Sequence, residues 1–318
     1  MESSDNGVAP GNTACPACGS VCNIQIGRPA SGFGATAGAS VFHQPAYAIR
    51  NCVDCGLYFK SHILAPDELA DYYAGLEFEA FDCGTEFPTD RLLHRKLKNM
   101  PHGSMVLDFG CSTGRILKGL TDRLDCVGVE PNEAAAAVAR GRGITVISER
   151  QLRAREIRKF DAILLTDVYE HLTRPVDVLE YLTALLAPGG WLAIVTGTAD
   201  AIRHRDYMAE FWYFRVLGHF QMLGDEHVRW LAARLGLVIE ARHRCSHYNT
   251  PLKSRLRQYV QSLAYREFHG SRVGRLATFL RFVPLIRRAV HWSCAPALTY
   301  GEDHLVVILR KNPACKPI

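Results

Sequence analysis

Val106-Leu107-Asp108-Phe109-Gly110-Cys111-Ser112-Thr113-Gly114 reads as a short buried strand that ends in a glycine-rich turn. Ile116, Leu117, Leu120 and Leu124 follow at helical spacing, so a helix is expected after the turn. A glycine turn between strand and helix lets backbone N–H groups approach a ligand closely. It is neither a GxxxxGK[ST] phosphate loop nor a good GxGxxG match, because Ser112 takes the place of a central glycine. The carboxylate of Asp108 at the strand end points away from phosphate, toward a cationic or hydroxyl-bearing ligand. Glu130, at the end of the next strand, is placed to accept both hydroxyls of a ribose.

Outward from this turn, strands and helices alternate. Cys126 to Glu130, Ile144 to Ile147, Phe160 to Thr166 and Trp191 to Thr196 read as further strands. Glu133 to Arg140 and Pro175 to Leu186 read as helices, the second stopped by Pro188-Gly189-Gly190. A helix over about Glu226 to Leu235, a strand-like stretch from Leu237 to Glu240 and a last strand within Asp303 to Arg310 complete the pattern. Continuous apolar strands alternating with helices indicate an α/β fold with a mainly parallel sheet covered on both faces.

Asp108 to Gly114, Val129-Glu130-Pro131, Phe160 to Leu172 and Leu186 to Val195 together resemble the successive motifs of class I S-adenosylmethionine-dependent methyltransferases. The resemblance covers about residues 102 to 245 and the last strand. It implies a Rossmann-like seven-stranded sheet in order 3-2-1-4-5-7-6, with S-adenosylmethionine over the strand C-termini. It also implies that Asp108 and the backbone of Gly110, Cys111, Ser112 and Gly114 hold the methionine end. By the same resemblance Glu130 holds the ribose, and the backbone near Asp167 lies beside the sulfonium. Ser112, and Ser148-Glu149-Arg150 after the third strand, depart from the family pattern.

Ahead of this core stand Cys15-Pro16-Ala17-Cys18-Gly19 and Cys52-Val53-Asp54-Cys55-Gly56. Two such knuckles supply the four thiolates of a closed, structural zinc site, with Cys22 as a competing ligand. The Gly/Ala/Ser-rich stretch Arg28 to Ser40 between them reads as a flexible loop. The two pairs, then Pro66, Tyr72-Tyr73 and the core, resemble bacterial zinc-ribbon methyltransferases that modify sugars, polysaccharides or secondary metabolites. The expected layout is a disordered tail (1–13), a zinc ribbon (14–65), a helical linker (66–101), the cofactor-binding core (102–249), a basic helical insertion (250–299) and a final core strand with its tail (300–318).

Methyl transfer needs an aligned acceptor and a group to take its proton. His171, just after the fourth strand, and His219, in the aromatic segment Tyr207 to Phe220, are the candidate bases. Asp167, Glu170 and His171 also resemble an acid-x-x-Glu-His element that binds a divalent ion in some quinone O-methyltransferases. The alternative is a helix-start acid followed by an anchoring Glu-His pair.

The net charge is +5, yet Thr250 to Leu298 holds nine basic residues against the single acid Glu267. An electrostatic partner is therefore sought in that segment, where Arg272 to Val290 reads as a basic amphipathic hairpin. It is read as a solvated cover, a clamp for a phosphate-bearing acceptor, or a peripheral membrane contact through 272–292. No RNA-binding motif accompanies the charge, so a sugar-type or other small-molecule acceptor is expected, methylated at oxygen or carbon. The alternatives are an RNA methyltransferase gripping phosphates with ribbon and arginines, and a non-catalytic protein that keeps the cofactor fold. With 48% hydrophobic and 22% charged residues the composition is globular, and no apolar run is long enough to span a membrane. Met1 to Thr13 lacks a signal-peptide pattern, so a reducing cytoplasmic setting is expected.

Overall fold

The computed structural model describes residues 13–76, 86–154, 159–202, 205–270 and 301–313. The Arg272–Val290 hairpin, its proposed membrane contact at 272–292 and the tail up to residue 12 lie outside these residues. The N-terminal lobe holds β1 (Asn23–Ala30), β2 (Phe33–Ala37), β3 (Ser40–Gln44), β4 (Tyr47–Cys52) and β5 (Tyr58–Lys60). β4 pairs antiparallel with β1 and β5, and β2 with β3 makes a separate hairpin. The stretch Arg28 to Ser40 is thus not a loop. It is the end of β1 and most of that hairpin, whose turn uses Gly38 at φ +57°. Small residues weaken a strand but do not forbid one, and a tight hairpin turn needs this positive φ.

Helices α1 (Pro66–Ala74) and α2 (Pro88–Lys98) both begin with proline, at the position where no N–H is required. In α2 the Asp90 carboxylate reaches back to accept the Phe87 N–H at 3.0 Å, capping the first turn. Leu93 and Leu97 on its inner face are fully buried with Val106 and Leu117. Each such leucine contributes about 1.5–3 kcal/mol of burial.

The core then runs β6 (Met105–Phe109), β7 (Asp125–Val129), α3 (Glu133–Gly141), β8 (Thr145–Ile147), α4 (Glu149–Ala154), β9 (Phe160–Thr166), α5 (Pro175–Leu185) and β10 (Leu186–Gly197). It closes with β11 (Gln221–Met222), α6 (Asp225–Arg234), β12 (Leu237–Cys245), α7 (Leu252–Gly270) and β13 (His304–Lys311). One seven-stranded sheet has the order β8-β7-β6-β9-β10-β13-β12, with β13 antiparallel to both neighbours. Counted along the core this is 3-2-1-4-5-7-6, the order that the resemblance implies. Leu107, Ile163 and Ile194 bury one face of the sheet, and Val106, Leu164 and Val195 the other. No helix among the described residues is long and apolar enough to cross a membrane.

Local readings differ in three places. Ile116, Leu117, Leu120 and Leu124 are buried, but on a run of turns instead of a helix. Gly119, at φ +74°, interrupts the helical path between them. Pro188-Gly189-Gly190 lies within β10, where the pairing to β9 shifts register between Leu186 and Trp191. β12 continues to Cys245 because the whole of β13 is available to pair with it.

The lobe is joined to the core. β5 pairs with β11, and Leu57 and Phe59 share a buried cluster with Leu107 and Ile163. The knuckle glycines Gly19 and Gly56 have φ +74° and +73°. A Cβ on Gly19 would meet open space, whereas on Gly56 it would lie 2.8 Å from Glu226 Cγ of α6. Gly19→Ala should therefore cost about 1–2 kcal/mol of stability from the dihedral alone, and Gly56→Ala clearly more. Denaturant melts of the two variants check this ordering.

Candidate functional site

The glycine turn is stitched to the next strand: Gly110 N–H and Cys111 N–H both donate to Val129 O, at 2.8 and 3.0 Å. Gly110 and Gly114 have φ +83° and +78°, and Ser112 itself has φ +48°. Ser112 thus sits where a glycine would be unstrained, and its N–H is held by Glu130 Oε2 at 2.8 Å. Glu130 Oε1 accepts the Asn132 N–H at 2.8 Å. Burial pushes the Glu130 carboxyl upward, opposed by these two amides. Two amides leave a carboxylate with further acceptor positions, so a ribose diol remains within its capacity. A Cβ on Gly110 would sit 2.5 Å from Val168 Cγ2, so the turn tolerates no larger residue there.

Asp108 is 1% exposed, and its Oδ1 has no hydrogen-bond partner among the described residues. Burial pushes its carboxyl up to about 7, with Glu130 and Asp90 adding and Arg115 opposing. A buried, unpartnered carboxyl oxygen costs free energy unless a ligand pairs with it. This fits the ammonium end of S-adenosylmethionine, and Glu130 beside the left-handed turn fits its ribose diol. Arg115, which the sequence reading missed, ion-pairs with Asp90 and lies 3.6 Å from Asp167 Oδ2, over the Phe87 ring. It ties α2 and the glycine turn to the end of β9. Asp167 has φ +55°, a sparsely populated conformation for this residue.

Beyond β9 the structure brings the two expected histidines together, with ring centroids 4.9 Å apart. His219 Nδ1 lies 2.9 Å from Tyr213 O. A carbonyl only accepts, so Nδ1 carries the proton and Nε2 holds the lone pair. Burial, with His171 and Lys60 adding, holds His219 well below the usual imidazole range, so it is neutral at pH 7. His171 Nδ1 lies 2.9 Å from both Gly218 O and the Tyr73 hydroxyl. Glu170 is buried and accepts from Tyr213 OH at 2.6 Å and Thr196 OH at 2.7 Å. Lys60 from β5 donates to Val216 O at 3.1 Å, and burial, with Arg215 adding, pushes it down to about 7. No spacing in the sequence marked Lys60 as part of this region, because only the lobe's pairing with β11 brings it there.

The four cysteines Cys15, Cys18, Cys52 and Cys55 place their sulfurs within 4.8 Å of one another. The Sγ···Sγ distances Cys15–Cys55 and Cys18–Cys52 are both 3.5 Å. Four thiolates at about 2.3 Å from a tetrahedral zinc would stand only slightly further apart. Cys15 is pulled down to about 6, chiefly by its hydrogen bond with Cys55, whose own thiol is pushed upward. Such a cluster calls for a cation, and zinc fits it. Cys22 is exposed and outside the cluster.

Fold and turn together define a class I methyltransferase domain, of the kind that uses S-adenosylmethionine. Residues 86–242 match the family model described as a methyltransferase domain, Methyltransf_23. Ubiquinone biosynthesis O-methyltransferase of Paraburkholderia phymatum is 33% identical over 103 residues, covering 30% of this chain and 44% of that protein. The protein named "Probable tRNA methyltransferase 9B" of Mus musculus is 29% identical over 133 residues, covering 40% of this chain and 27% of its own length. The chain therefore spans less than half the length of these curated relatives. Among solved structures, the YcgJ protein of Bacillus subtilis has a TM-score of 0.48 at 12% identity, covering 70% of this chain and 98% of that one.

Proposed function

We propose that this chain transfers a methyl group from S-adenosylmethionine to an oxygen or carbon of a small, sugar-type acceptor, with structural zinc in the lobe. The observation that carries the reading is the buried, unpartnered Asp108 oxygen beside a left-handed turn whose N–H Glu130 holds. When bound, the cofactor supplies a methyl carbon already activated by its positive sulfur. Asp108 then pairs with the ammonium of the methionine end, and Glu130 accepts from the ribose hydroxyls. Tyr213 and Thr196 fix Glu170, which sets the turn that carries His171. His219 Nε2 takes the acceptor proton while its Nδ1–H stays on Tyr213 O. His171, Tyr73 and the aromatic segment wall the acceptor side and keep water from it. The setting we propose is cytoplasmic.

Incubation with cofactor and a panel of nucleotide sugars and hydroxylated metabolites, read by mass spectrometry for one added methyl group, tests the reading. His219→Ala should lower kcat by about 10²–10⁴ with cofactor affinity unchanged. Because His219 is held neutral, kcat of the wild type should be flat above pH 6.5 and fall only in acid. A bell centred near neutrality would assign the proton transfer elsewhere.

One observation favours a second reading: α7 displays exposed Lys253, Arg255 and Arg257, and a relative is named for tRNA methylation. RNA binding that weakens steeply with salt would support it, and salt-independent behaviour would remove it.

A further inference from the structure

Between the end of β9 and the start of β13 lies a group of side chains that the methyl-transfer scheme leaves unused. Asp167, His247 and His304 each bring one candidate ligand atom to within 4.8 Å of the others. His304 is 2% exposed and His247 8%, so neither is a solvated surface imidazole. Asp167 Oδ1, His247 Nδ1 and Asp303 Oδ2 are all buried without a hydrogen-bond partner among the described residues. Three unpartnered polar atoms in one group are a large unmet demand, since buried polar atoms are nearly always paired.

We propose that Asp167, His247 and His304 form a binding site for a divalent transition-metal ion, beside the glycine turn. The geometry gives each group a defined role. His304 Nδ1 faces Asp303 Oδ1 at 3.2 Å, and the same oxygen accepts the backbone N–H of His247 at 3.2 Å. A carboxylate behind one ring nitrogen fixes the tautomer and turns the other nitrogen outward as a ligand. That other nitrogen, His304 Nε2, stands 3.9 Å from Asp167 Oδ1. The separation is too long for a hydrogen bond, yet an ion bound to both at about 2.0–2.2 Å can bridge it. Arg115 engages the opposite oxygen of Asp167 and leaves Oδ1 free. The two imidazole centroids are 4.3 Å apart, and Phe87 covers the outer side of His247 at 4.4 Å.

Two imidazoles and one carboxylate suit zinc, iron, cobalt or manganese, whereas calcium and magnesium prefer all-oxygen sites. Three protein ligands leave open coordination positions, unlike the closed cysteine cluster. The inference concerns metal uptake alone and stands apart from the identity of the acceptor.

Cobalt(II) is the probe. Full-length protein, first saturated with one equivalent of zinc, is titrated with Co²⁺ and followed by absorption and calorimetry. Uptake of one further equivalent is expected, with d–d bands but no thiolate-to-cobalt charge transfer. His247→Asn and His304→Ala should each abolish that equivalent, and Asp303→Asn should weaken it by about 10–100-fold, with circular dichroism confirming that each variant is folded. Cobalt bound solely by thiolates, or a second equivalent that survives in both folded histidine variants, would overturn the proposal.

Discussion

Asp108→Asn should weaken cofactor binding by about 2–5 kcal/mol, thirty-fold or more, while making the ligand-free protein more stable at pH 7–8. Both effects come from one buried carboxyl. In the proposed complex the charge is paired with the ligand's ammonium, which the amide cannot replace. Without ligand, the charge is buried at a cost, which is why burial lifts the group from 3.8 to about 7. The folded protein then binds more protons than the unfolded chain between about pH 4 and 7. Stability of the ligand-free wild type should fall as pH rises through that window, and the slope should vanish in the variant. Thermal melts across pH with and without S-adenosylhomocysteine separate the two effects. A variant that binds the ligand as well as wild type would show that Asp108 plays no part.

The second large effect is expected from the cysteine cluster. Structural zinc contributes about 10–16 kcal/mol to folding in isolated fingers, comparable to the whole stability of a domain. Chelation, or Cys52→Ser, should therefore unfold the lobe and lower the melting temperature steeply. The loss should spread along a defined route. His227 of α6 donates from Nδ1 to Cys55 O at 2.8 Å and accepts the Tyr169 hydroxyl at 2.7 Å, next to Glu170 and His171. Burial pushes His227 down to about 4, so it remains neutral and keeps both bonds. Methyl transfer should be lost at least tenfold, with affinity for S-adenosylhomocysteine nearly kept, because the glycine turn hangs on β6, β7 and α2. Metal content, melting and turnover measured on the same sample check the route. An unchanged melt after zinc removal would contradict it.

How much of this was legible depends on whether local chemistry or long-range pairing places the residue. The alternation around Asp108 to Gly114 specifies its own environment, since an apolar strand followed by a glycine turn has few other uses. Glu130 and the two cysteine pairs are legible for the same reason. The helix expected after Gly114 failed because apolar spacing alone does not see Gly119 at φ +74°. Arg28 to Ser40 was misread because its small residues look alike in a loop and in a hairpin stabilised by its turn. Lys60, Arg115, His247 and His304 carry no spacing signal. His304 opens β13 beside β10 only because the last strand returns antiparallel into the sheet. A polar Asp303-His304 pair ahead of an apolar run was the one available hint.

The central claim is that Asp108 and Glu130, on either side of the glycine turn, grip a sulfonium nucleoside. Calorimetric titration of zinc-replete protein with S-adenosylhomocysteine measures this directly. One site per chain is expected in the wild type, with the heat abolished by Asp108→Ala and strongly reduced by Glu130→Ala. Folded wild-type protein that takes up none of the ligand, or uptake untouched by both substitutions, would contradict the account.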